Sequence, residues 1–241
     1  MRVLRWLLVI SVMLLAAGVV AQDDAAPPGT ILDVLGGLRV TTVGGADDPY
    51  ADIPQSRTED GAFVLGNPDA ALVVVEFADF LCPHCQEYEE ILDQFIENHV
   101  ATGEARLEYR LVPIVNEVYS PLTARVAECA GEQGRFWEAR QLLFNLAREQ
   151  AISENVAQVV ADQLGLNASL LESCIPTADQ FQRDVQVAQG AGVTGTPAVM
   201  IRVNDSNLQW VSVQGQVLDR GGLPYELLAQ LVQRVQQASG G

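Results

Sequence analysis

The chain alternates between strand-like and helix-like hydrophobic patterns. Residues 72–77 (Leu-Val-Val-Val-Glu-Phe) are almost wholly apolar, which predicts a buried strand. Residues 83–100 carry apolar side chains every three or four positions, which predicts an amphipathic helix. Residues 106–112 alternate between charged and apolar side chains, which predicts a second strand. The pattern therefore predicts a β-α-β unit, with residues 63–65 as a short edge strand before it.

The predicted helix over residues 83–100 has an apolar side and an acidic side. The apolar side consists of Tyr88, Ile91, Leu92, Phe95 and Ile96, and His99 lies on the same side. The acidic residues of this helix are Glu87, Glu89, Glu90 and Asp93. We expect all four carboxylates to lie off the packed face, because an amphipathic helix turns its charged residues away from the core.

Four helix-like segments follow the second predicted strand. The first opens at Ser120-Pro121, and the second carries an apolar stripe that begins at Phe136. The third is expected to have Ser153 as its N-cap and Gly165 as its C-terminal stop. The fourth begins with residues 177–180, which match a capping box. We interpret these stripes as helices that pack against a core.

The C-terminal part returns to strand patterning and ends in a helix. Residues 198–203 and 208–213 predict two strands, which a polar turn over residues 204–207 separates. Pro224 is expected to begin a final amphipathic helix. The order is therefore β-α-β, a helical block and β-β-α, which predicts an α/β fold with an inserted α-helical subdomain.

The N-terminus has the features of an export signal. Arg2 and Arg5 form a basic region, residues 6–20 are continuously apolar, and Val19-Val20-Ala21 is a small-residue cleavage site. We predict a signal peptide over residues 1–21, with an uncleaved anchor as the alternative. Residues 22–60 are acidic and rich in Gly and Pro, which predicts a tether. Export predicts an extracytoplasmic location, periplasmic or secreted, where disulfide chemistry is expected.

The charge balance of the chain excludes some partners. The chain has 14 basic and 31 acidic residues, and its formal net charge is −17. Removing residues 1–21 takes away two arginines and no acidic residue, so the mature chain is more acidic still. Such a charge opposes binding to nucleic acid or to anionic lipid.

Two thiols lie where the first predicted strand meets the first predicted helix, in Cys82-Pro83-His84-Cys85. Pro83 suits the first helical position, because the N–H that it lacks is not needed there. Cys82 would then lie at the helix N-terminus, where free N–H groups and the helix dipole stabilise a thiolate. Cys85 would lie one turn further along, on the same side. The spacing therefore indicates a redox-active dithiol.

Two other uses of this CxxC segment fit the sequence less well. A zinc site requires four ligands, and neither Cys129, Cys174 nor His99 forms a second close pair. A purely structural Cys82–Cys85 bridge would close too small a loop to remove much entropy from the unfolded chain. We therefore favour redox chemistry and expect no metal site.

The other two cysteines, Cys129 and Cys174, each lie on the apolar face of a predicted helix. A remaining even pair of cysteines in an exported protein is more often bridged than free. Two buried free thiols are the alternative, because free cysteine packs well as a small hydrophobic residue. We predict a structural disulfide between Cys129 and Cys174.

Three separated segments of the chain carry a family resemblance. They are Val-Glu-Phe-Ala-Asp-Phe-Leu-Cys-Pro-His-Cys (75–85), Glu-Cys-Ala-Gly-Glu-Gln-Gly-Arg-Phe-Trp-Glu (128–138) and Gly-Val-Thr-Gly-Thr-Pro-Ala-Val (192–199). In this order they resemble the DsbA-type thiol–disulfide oxidoreductases, which have a thioredoxin fold with a helical insertion. The resemblance implies such a domain over residues 61–237, with the insertion at about 115–190.

The resemblance also implies a role for each residue near the dithiol. Cys82 is the expected nucleophile and Cys85 the resolving thiol, while Thr196-Pro197 is the expected cis-proline segment that shapes the substrate groove. Glu76 is expected to be a buried acid that accepts the Cys85 proton. The Pro83-His84 pair is expected to tune the redox potential, with protonated His84 favouring the Cys82 thiolate. The alternatives are an edge-facing carboxylate and an exposed imidazole, neither of them coupled to the thiols.

The resemblance implies an enzyme that introduces disulfide bonds into exported proteins by dithiol/disulfide exchange, without a cofactor. Its expected partners are exported proteins with free cysteines and a membrane quinone-linked thiol oxidase, DsbB-like or vitamin-K-epoxide-reductase-like (VKOR-like). A disulfide reductase or isomerase of the same fold is the first alternative, and a redox-inert peptide-binding module or chaperone is the second. We expect a monomer, because residues 22–60 are too short and polar to form an added dimerisation domain.

Overall fold

A six-stranded mixed sheet forms the centre of the computed structural model, which describes residues 49–204 and 206–239. The strands of this sheet are β1 (Gln55–Arg57), β2 (Phe63–Gly66), β3 (Leu72–Ala78), β4 (Ala105–Leu111), β5 (Ala198–Val203) and β6 (Gln209–Trp210). They lie in the order β1-β2-β4-β3-β5-β6, with β3 parallel to β4 and the other neighbours antiparallel. A separate two-stranded sheet pairs β7 (Ser212–Val213) with β8 (Gln216–Val217).

Helices cover this sheet and fill the long connection between β4 and β5. They are α1 (Pro83–Phe95), α2 (Tyr119–Gly131), α3 (Phe136–Arg148), α4 (Val156–Leu164), α5 (Ala168–Cys174), α6 (Gln180–Gly190) and α7 (Tyr225–Ser239). The first helix continues into a π-helix, Ile96–Val100, so the predicted helix ends as expected but with a wider last turn. Among the described residues, no helix combines the length and apolar character that crossing a membrane requires.

The observed order of elements is the predicted one: β-α-β, a helical block, and β-β-α. Helices α2 to α6 form the block, which corresponds to the insertion expected at about 115–190. The predicted α/β fold class with an inserted helical subdomain is confirmed. The predicted signal peptide (1–21) and residues 22–48 of the predicted tether lie outside the described residues.

The central strand β3 is buried over its whole length, as its composition predicts. Val73 and Val75 pack into the smaller of two hydrophobic clusters, and Leu72 and Val74 into the larger one, which also contains both dithiol cysteines. Side chains alternate between the two faces of a strand. Glu76 therefore lies on the face of Leu72 and Val74, which is the face toward the dithiol helix.

The end of the predicted tether proves to be structured. Tyr50 and Ile53 are buried, and β1 pairs with β2. The strand at residues 63–65, predicted to be an edge strand, is therefore an inner strand between β1 and β4. The prediction was wrong because Gln-Ser-Arg is too short and too polar to show strand periodicity. The folded domain thus begins before residue 61.

Two helices of the insertion begin differently from the prediction. The first residue outside α4 is Asn155 rather than Ser153, and its side chain makes no cap hydrogen bond. The capping box predicted for α6 is not formed either. Instead, the carboxylate of Glu128, from α2, accepts hydrogen bonds from the N–H groups of Asp179 and Gln180, at 3.3 and 2.9 Å. A distant carboxylate thus replaces the local cap, which no local sequence pattern could indicate.

The strand predicted over residues 208–213 is broken at Val211. Its first part is β6, which pairs with β5, and its second part is β7, which pairs with β8. The buried Val211 separates the two, and its carbonyl accepts a hydrogen bond from the N–H of Leu218 at 2.9 Å. The bounds of helix α5, which carries Cys174, were not predicted, because its seven residues are too few to display helical periodicity.

A disulfide joins Cys129 of α2 to Cys174 at the end of α5. The Cys129 side chain is buried, and the two cysteines are 45 positions apart in the chain. The bridge lies wholly within the helical insertion. It connects the first helix of that subdomain to the fourth.

Candidate active site

The dithiol lies where β3 runs into α1. Cys82 is the N-cap residue, with an extended backbone (φ −75°, ψ 117°), and Pro83 follows as the first helical residue. Cys85 lies one turn inside the helix and is fully buried. Both thiols are free in the structure. The helix N-terminus therefore presents its N–H groups to Cys82, as the sequence predicts.

The turn between β3 and α1 is organised by Asp79, a buried residue that the sequence analysis did not single out. The carbonyl of Asp79 accepts a hydrogen bond from the Cys82 N–H at 3.0 Å. Its carboxylate accepts hydrogen bonds from the N–H of Leu81 at 2.9 Å and from the N–H groups of Ile114 and Val115, both at 2.8 Å. Asp79 thus ties the dithiol turn to the loop that leads into the insertion. The sequence did contain a signal for this role, because aspartate is common in turns and Asp79 lies between a predicted strand and a predicted helix start.

The two thiols differ strongly in acidity. A hydrogen bond with the Cys85 thiol, further hydrogen bonds from Thr196 and the helix N–H groups of Cys85 and His84 lower the pKa of Cys82 to about 5, against the effect of burial. Burial, the hydrogen bond with Cys82 and the nearby Glu76 carboxylate raise the pKa of Cys85 well above that of a free thiol. At neutral pH the pair is therefore a thiolate beside a protonated thiol.

The Thr196-Pro197 segment lies directly against the dithiol. The peptide bond between these residues is cis, and Pro197 is buried. The Cys82 Sγ lies 3.2 Å from the Thr196 carbonyl oxygen, to which its protonated form donates a hydrogen bond, across 114 positions of sequence. The structure thus brings together the two segments that the sequence singled out.

Glu76 is completely buried on the face of β3 toward the dithiol. Neither of its carboxylate oxygens has a hydrogen-bond partner among the described residues. Burial raises its pKa to about 7, Arg140 opposes that rise, and the charges of Asp93 and Cys82 add to it. The carboxyl group can therefore exist in both protonation states near neutral pH.

A buried ion pair lies in the same charged cluster, and the sequence analysis did not anticipate it. Arg140 of α3 is fully buried, and its Nη2 donates a hydrogen bond to Oε1 of Glu89 at 2.6 Å. The expectation that Glu89 lies off the packed face is wrong, because the insertion supplies a cation that compensates the buried carboxylate. The burial of Arg140 could have been inferred from the sequence, because Arg140 lies between Trp137 and Phe144 on the apolar stripe of α3.

His84 lies between the thiols in sequence but turns its ring to solvent. The side chain is 79% exposed, and its Nδ1 lies 3.5 Å from Oε2 of Glu87. The group of His84 that reaches Cys82 is its backbone N–H. A tuning role of the imidazole therefore stays a prediction.

A cavity of about 600 Å³ lies beside the dithiol segment. Its lining includes His84 and Thr196-Pro197, and Arg220 and Gly221 line it from the loop between β8 and α7. Its position against the Thr196-Pro197 segment makes it the natural place for a chain that reacts with Cys82. Among the described residues, no group of three or more His, Cys, Asp or Glu is placed to hold a metal ion.

Sequence comparisons connect the chain to two kinds of protein. The family model described as Thioredoxin matches residues 58–217, more than half of the chain. The Na⁺/H⁺ antiporter NhaA 3 of Salinispora tropica is 29% identical over 161 residues, which is 65% of this chain but 24% of the antiporter, so this chain spans about a quarter of that relative. The probable disulfide bond formation protein D of Bacillus anthracis is 26% identical over 168 residues, or 62% of this chain and 74% of that protein.

Solved structures show the same architecture. The crystal structure of α-DsbA1 from Wolbachia pipientis matches with a TM-score of 0.61 and 19% identity, covering 74% of this chain and 92% of that one. At this identity the likeness concerns the fold alone. The chain therefore belongs to the thioredoxin family, which confirms the expected thioredoxin-like fold, and it is similar to DsbA-type thiol–disulfide oxidoreductases.

Proposed function

We propose that this protein is an extracytoplasmic thiol–disulfide oxidoreductase that introduces disulfide bonds into exported proteins. The observation that carries the proposal is the contrast between the two thiols of one helix. The pKa of Cys82 is lowered to about 5 at the helix N-terminus, whereas burial raises the pKa of Cys85. A low-pKa cysteine followed by a buried second thiol is the arrangement that dithiol exchange requires.

The same contrast favours oxidation of substrates over their reduction. A stabilised Cys82 thiolate lowers the free energy of the reduced protein relative to its disulfide form. The mixed disulfide between Cys82 and a substrate is then readily resolved by a second substrate thiolate, because the low pKa of Cys82 makes it a good leaving group. The protein would therefore pass its disulfide to reduced substrates.

The proposed reaction transfers one disulfide bond and two electrons. A substrate thiolate attacks the Cys82 sulfur of the Cys82–Cys85 disulfide, which forms a mixed disulfide and releases Cys85 as a thiolate that takes up a proton. A second substrate thiolate then attacks the substrate sulfur of that mixed disulfide and expels Cys82 as a thiolate. The substrate dithiol is oxidised, and the Cys82–Cys85 pair is reduced.

Glu76 is proposed to exchange a proton with Cys85. Its carboxyl group is buried near that thiol, and its pKa of about 7 leaves both protonation states accessible. The protonated acid would supply the proton that the Cys85 thiolate takes up, and the carboxylate would remove it when the dithiol is oxidised again. Solvent cannot do this directly, because Cys85 is fully buried.

The Thr196-Pro197 segment is proposed to hold the reacting polypeptide. Its backbone faces Cys82 and borders the cavity beside the dithiol. An extended substrate could pair with the Thr196 backbone and place its cysteine beside Cys82, which is a form of strand addition. The substrates would be exported proteins with free cysteines. Electrons would pass from the reduced dithiol to a membrane quinone-linked thiol oxidase, DsbB-like or VKOR-like.

The reduction potential tests the proposed direction of transfer. The purified protein is equilibrated in buffers of varied ratio of reduced to oxidised glutathione, and the reduced fraction is read from alkylation of Cys82 and Cys85 by mass spectrometry. We expect a potential more positive than about −180 mV, the value typical of protein disulfide isomerase. A value near about −270 mV, typical of thioredoxin, would contradict the oxidase proposal and favour a reductase.

A second assay separates the remaining alternatives. Disulfide-form protein is mixed with reduced, unfolded ribonuclease A, and the recovery of ribonuclease activity is followed with Cys82→Ser as the inactive control. Rapid oxidation is expected, and correction of a scrambled ribonuclease without net oxidation would instead indicate an isomerase. No exchange at all would indicate a redox-inert peptide-binding module.

A further inference from the structure

Arg220 stands out among the arginines of this acidic chain because nothing in the described part of the chain pairs with it. Buried arginines such as Arg110 and Arg140 hold carboxylates, and Arg202 pairs with Glu108. Among the arginine side chains of residues 49–204 and 206–239, only those of Arg220 and Arg234 make no hydrogen bond, ion pair or ring contact. Both side chains are exposed. An unpaired cation in a chain with a net charge of −17 is available to a ligand.

Arg220 lies at the dithiol, whereas Arg234 lies on the C-terminal helix α7. Arg220 lines the cavity of about 600 Å³ that His84 and Thr196-Pro197 also line. Its neighbour Gly221 forms a parallel bridge with Ala198, the residue that follows Pro197. The backbone of Arg220 is therefore held beside the segment whose carbonyl contacts Cys82.

The loop that carries Arg220 is anchored to the helix that carries the dithiol. The Tyr88 hydroxyl, on α1, accepts a hydrogen bond from the Leu223 N–H and donates one to the Leu223 carbonyl, both at 3.1 Å. Gly222 packs so closely that a Cβ there would lie 1.9 Å from Cε2 of the Tyr88 ring. The loop that carries Arg220 is thus anchored to the dithiol helix α1.

No carboxylate of residues 49–204 and 206–239 pairs with Arg220. The carboxylate of Glu87 lies 3.5 Å from the exposed His84 ring. Asp219 precedes Arg220 but does not line the cavity. The two cavity side chains that can carry charge, His84 and Arg220, are both basic.

We propose that Arg220 binds an acidic side chain of the reacting polypeptide, so that the protein prefers cysteines that have Asp or Glu close by in sequence. The inference rests on the proposed thiol–disulfide exchange and names the substrate class of that same site. In an extended segment successive residues are about 3.3 Å apart, so a carboxylate within two residues of the cysteine can reach the cavity wall. Arg220 is a specificity residue here, since it contacts the substrate but takes no part in the exchange.

Matched peptides test this preference. Each peptide contains one cysteine, and the members of a pair differ only in Glu or Gln at one position from two residues before to two residues after it. The rate of mixed-disulfide formation with the disulfide-form protein is measured by acid quenching and mass spectrometry. We expect the Glu peptide to react about two- to fivefold faster at one or more positions, the range of an exposed ion pair. Each rate is divided by the rate of the same peptide with oxidised glutathione, which corrects for its thiol pKa.

Two variants that remove the same charge, Arg220→Gln and Arg234→Gln, decide with Arg220→Glu whether Arg220 causes the preference. Arg220→Gln should bring the Glu-to-Gln rate ratio to about one, and Arg220→Glu should reverse it. Arg234→Gln removes the same charge from a site on α7 and should leave the ratio unchanged. Loss of the ratio in Arg234→Gln as well would overturn the inference, because the preference would then come from net charge. An unchanged ratio in Arg220→Gln would also overturn it.

A fourth variant tests whether the position of the loop matters. Gly222→Ala keeps Arg220 but must displace the loop from Tyr88, so we expect a reduced Glu-to-Gln ratio with normal reaction of the Gln peptides. A wild-type ratio in a folded Gly222→Ala protein would contradict the role of this anchor. The peptide experiment distinguishes failure of the inference from failure of the proposed function. Exchange with all peptides but no Glu preference refutes the inference alone, whereas no exchange with any peptide refutes both.

Discussion

Cys82 and Cys85 are separated by two residues, yet their thiols have opposite acidities. Cys82 receives the hydrogen bond of the Cys85 thiol and N–H groups of the helix N-terminus, and Cys85 is enclosed by the core. The sequence predicted the first environment, because Pro83 marks the start of the helix. It did not show that the Cys85 thiol would be the largest single cause of the lowered Cys82 pKa.

Replacing Cys85 should therefore weaken the acidity of Cys82 more than replacing His84. In Cys85→Ala the thiolate loses its strongest hydrogen bond, and we expect the Cys82 pKa to rise by about one unit or more from its value near 5. In His84→Ala the backbone N–H stays and only a solvent-exposed ring is lost, so the pKa should rise less. Thiolate absorbance at 240 nm, followed against pH, measures both pKa values.

The control for this titration is a variant in which Cys85 is the only dithiol cysteine left, and the test compares the Cys82 pKa shifts of the two other variants. Cys82→Ser should show no thiolate absorbance change between about pH 3 and pH 8, because the remaining thiol has a raised pKa. A larger shift in His84→Ala than in Cys85→Ala would contradict the assignment. It would return the imidazole to the tuning role that the sequence suggested.

Glu76 predicts a pH dependence of stability with a defined sign. Burial raises its pKa in the folded protein to about 7, above the ordinary value of 4.5, so folding favours its protonated form. This contribution is complete below about pH 4.5 and is lost as the pH rises through about 7. Glu76→Gln has no such titration. It should therefore gain stability relative to wild type as the pH rises from about 5 to about 9, by on the order of 2 kcal/mol.

Urea unfolding at several pH values, followed by tryptophan fluorescence, measures this difference. Both proteins are compared with the Cys82–Cys85 pair reduced by one equivalent of dithiothreitol. Glu87→Gln is the matched control, because that carboxylate is 79% exposed and should show no comparable pH-dependent gain. A constant difference between Glu76→Gln and wild type across the pH range would show that Glu76 does not titrate there.

At the scale of elements, the insertion does more than extend the fold. Helix α3 supplies Arg140, which pairs with Glu89 of α1 and acts on the charge of Glu76 in β3. Helix α3, which is distant in sequence, thus shares one buried charged cluster with the consecutive elements β3 and α1. Helix α2 supplies Glu128, which caps α6. The helical subdomain is therefore coupled to the dithiol helix through named polar contacts as well as through apolar packing.

The Cys129–Cys174 disulfide should stabilise that subdomain without taking part in exchange. Its cysteines are 45 positions apart, and closing a loop of that length stabilises a fold by roughly 4 kcal/mol in the chain-entropy account. We expect the double variant Cys129→Ala/Cys174→Ala to lose stability of about that size in urea unfolding. Insulin reduction per folded molecule should remain close to wild type, since neither cysteine lines the cavity beside the dithiol. Loss of turnover with unchanged stability would make the pair a redox relay instead.

At the scale of the whole molecule, charge excludes partners but does not identify the substrate. A net charge of −17 opposes nucleic acid and anionic surfaces, whatever the fold. The tertiary structure shows how the charged side chains are distributed, which the net charge does not reveal. It pairs Arg110 with Asp60, Glu108 and Asp184 in a largely buried network, whereas no described residue pairs with Arg220 at the cavity beside the dithiol segment. The local positive charge of the proposed substrate site thus arises within an acidic protein.

The order of the main elements and the position of the dithiol could be predicted from the sequence. A strand such as β3 and a helix such as α1 show their periodicity within a few residues, and the helix start depends on the local residue Pro83. The short elements β1 and α5 could not be predicted in this way. They are too brief to display a period, and their pairing or packing partners determine that they form.

The chemical environment of the dithiol, by contrast, was decided by the tertiary structure. The Thr196 carbonyl reaches Cys82 across 114 positions, and Arg140 reaches Glu89 across 51. Burial and charge compensation depend on which distant side chains surround a group, so a local pattern placed Glu89 off the packed face when it is in fact buried. Hydrophobic periodicity is a property of neighbours along the chain, whereas a pKa, an ion pair and an unpaired arginine at a cavity are properties of neighbours in space.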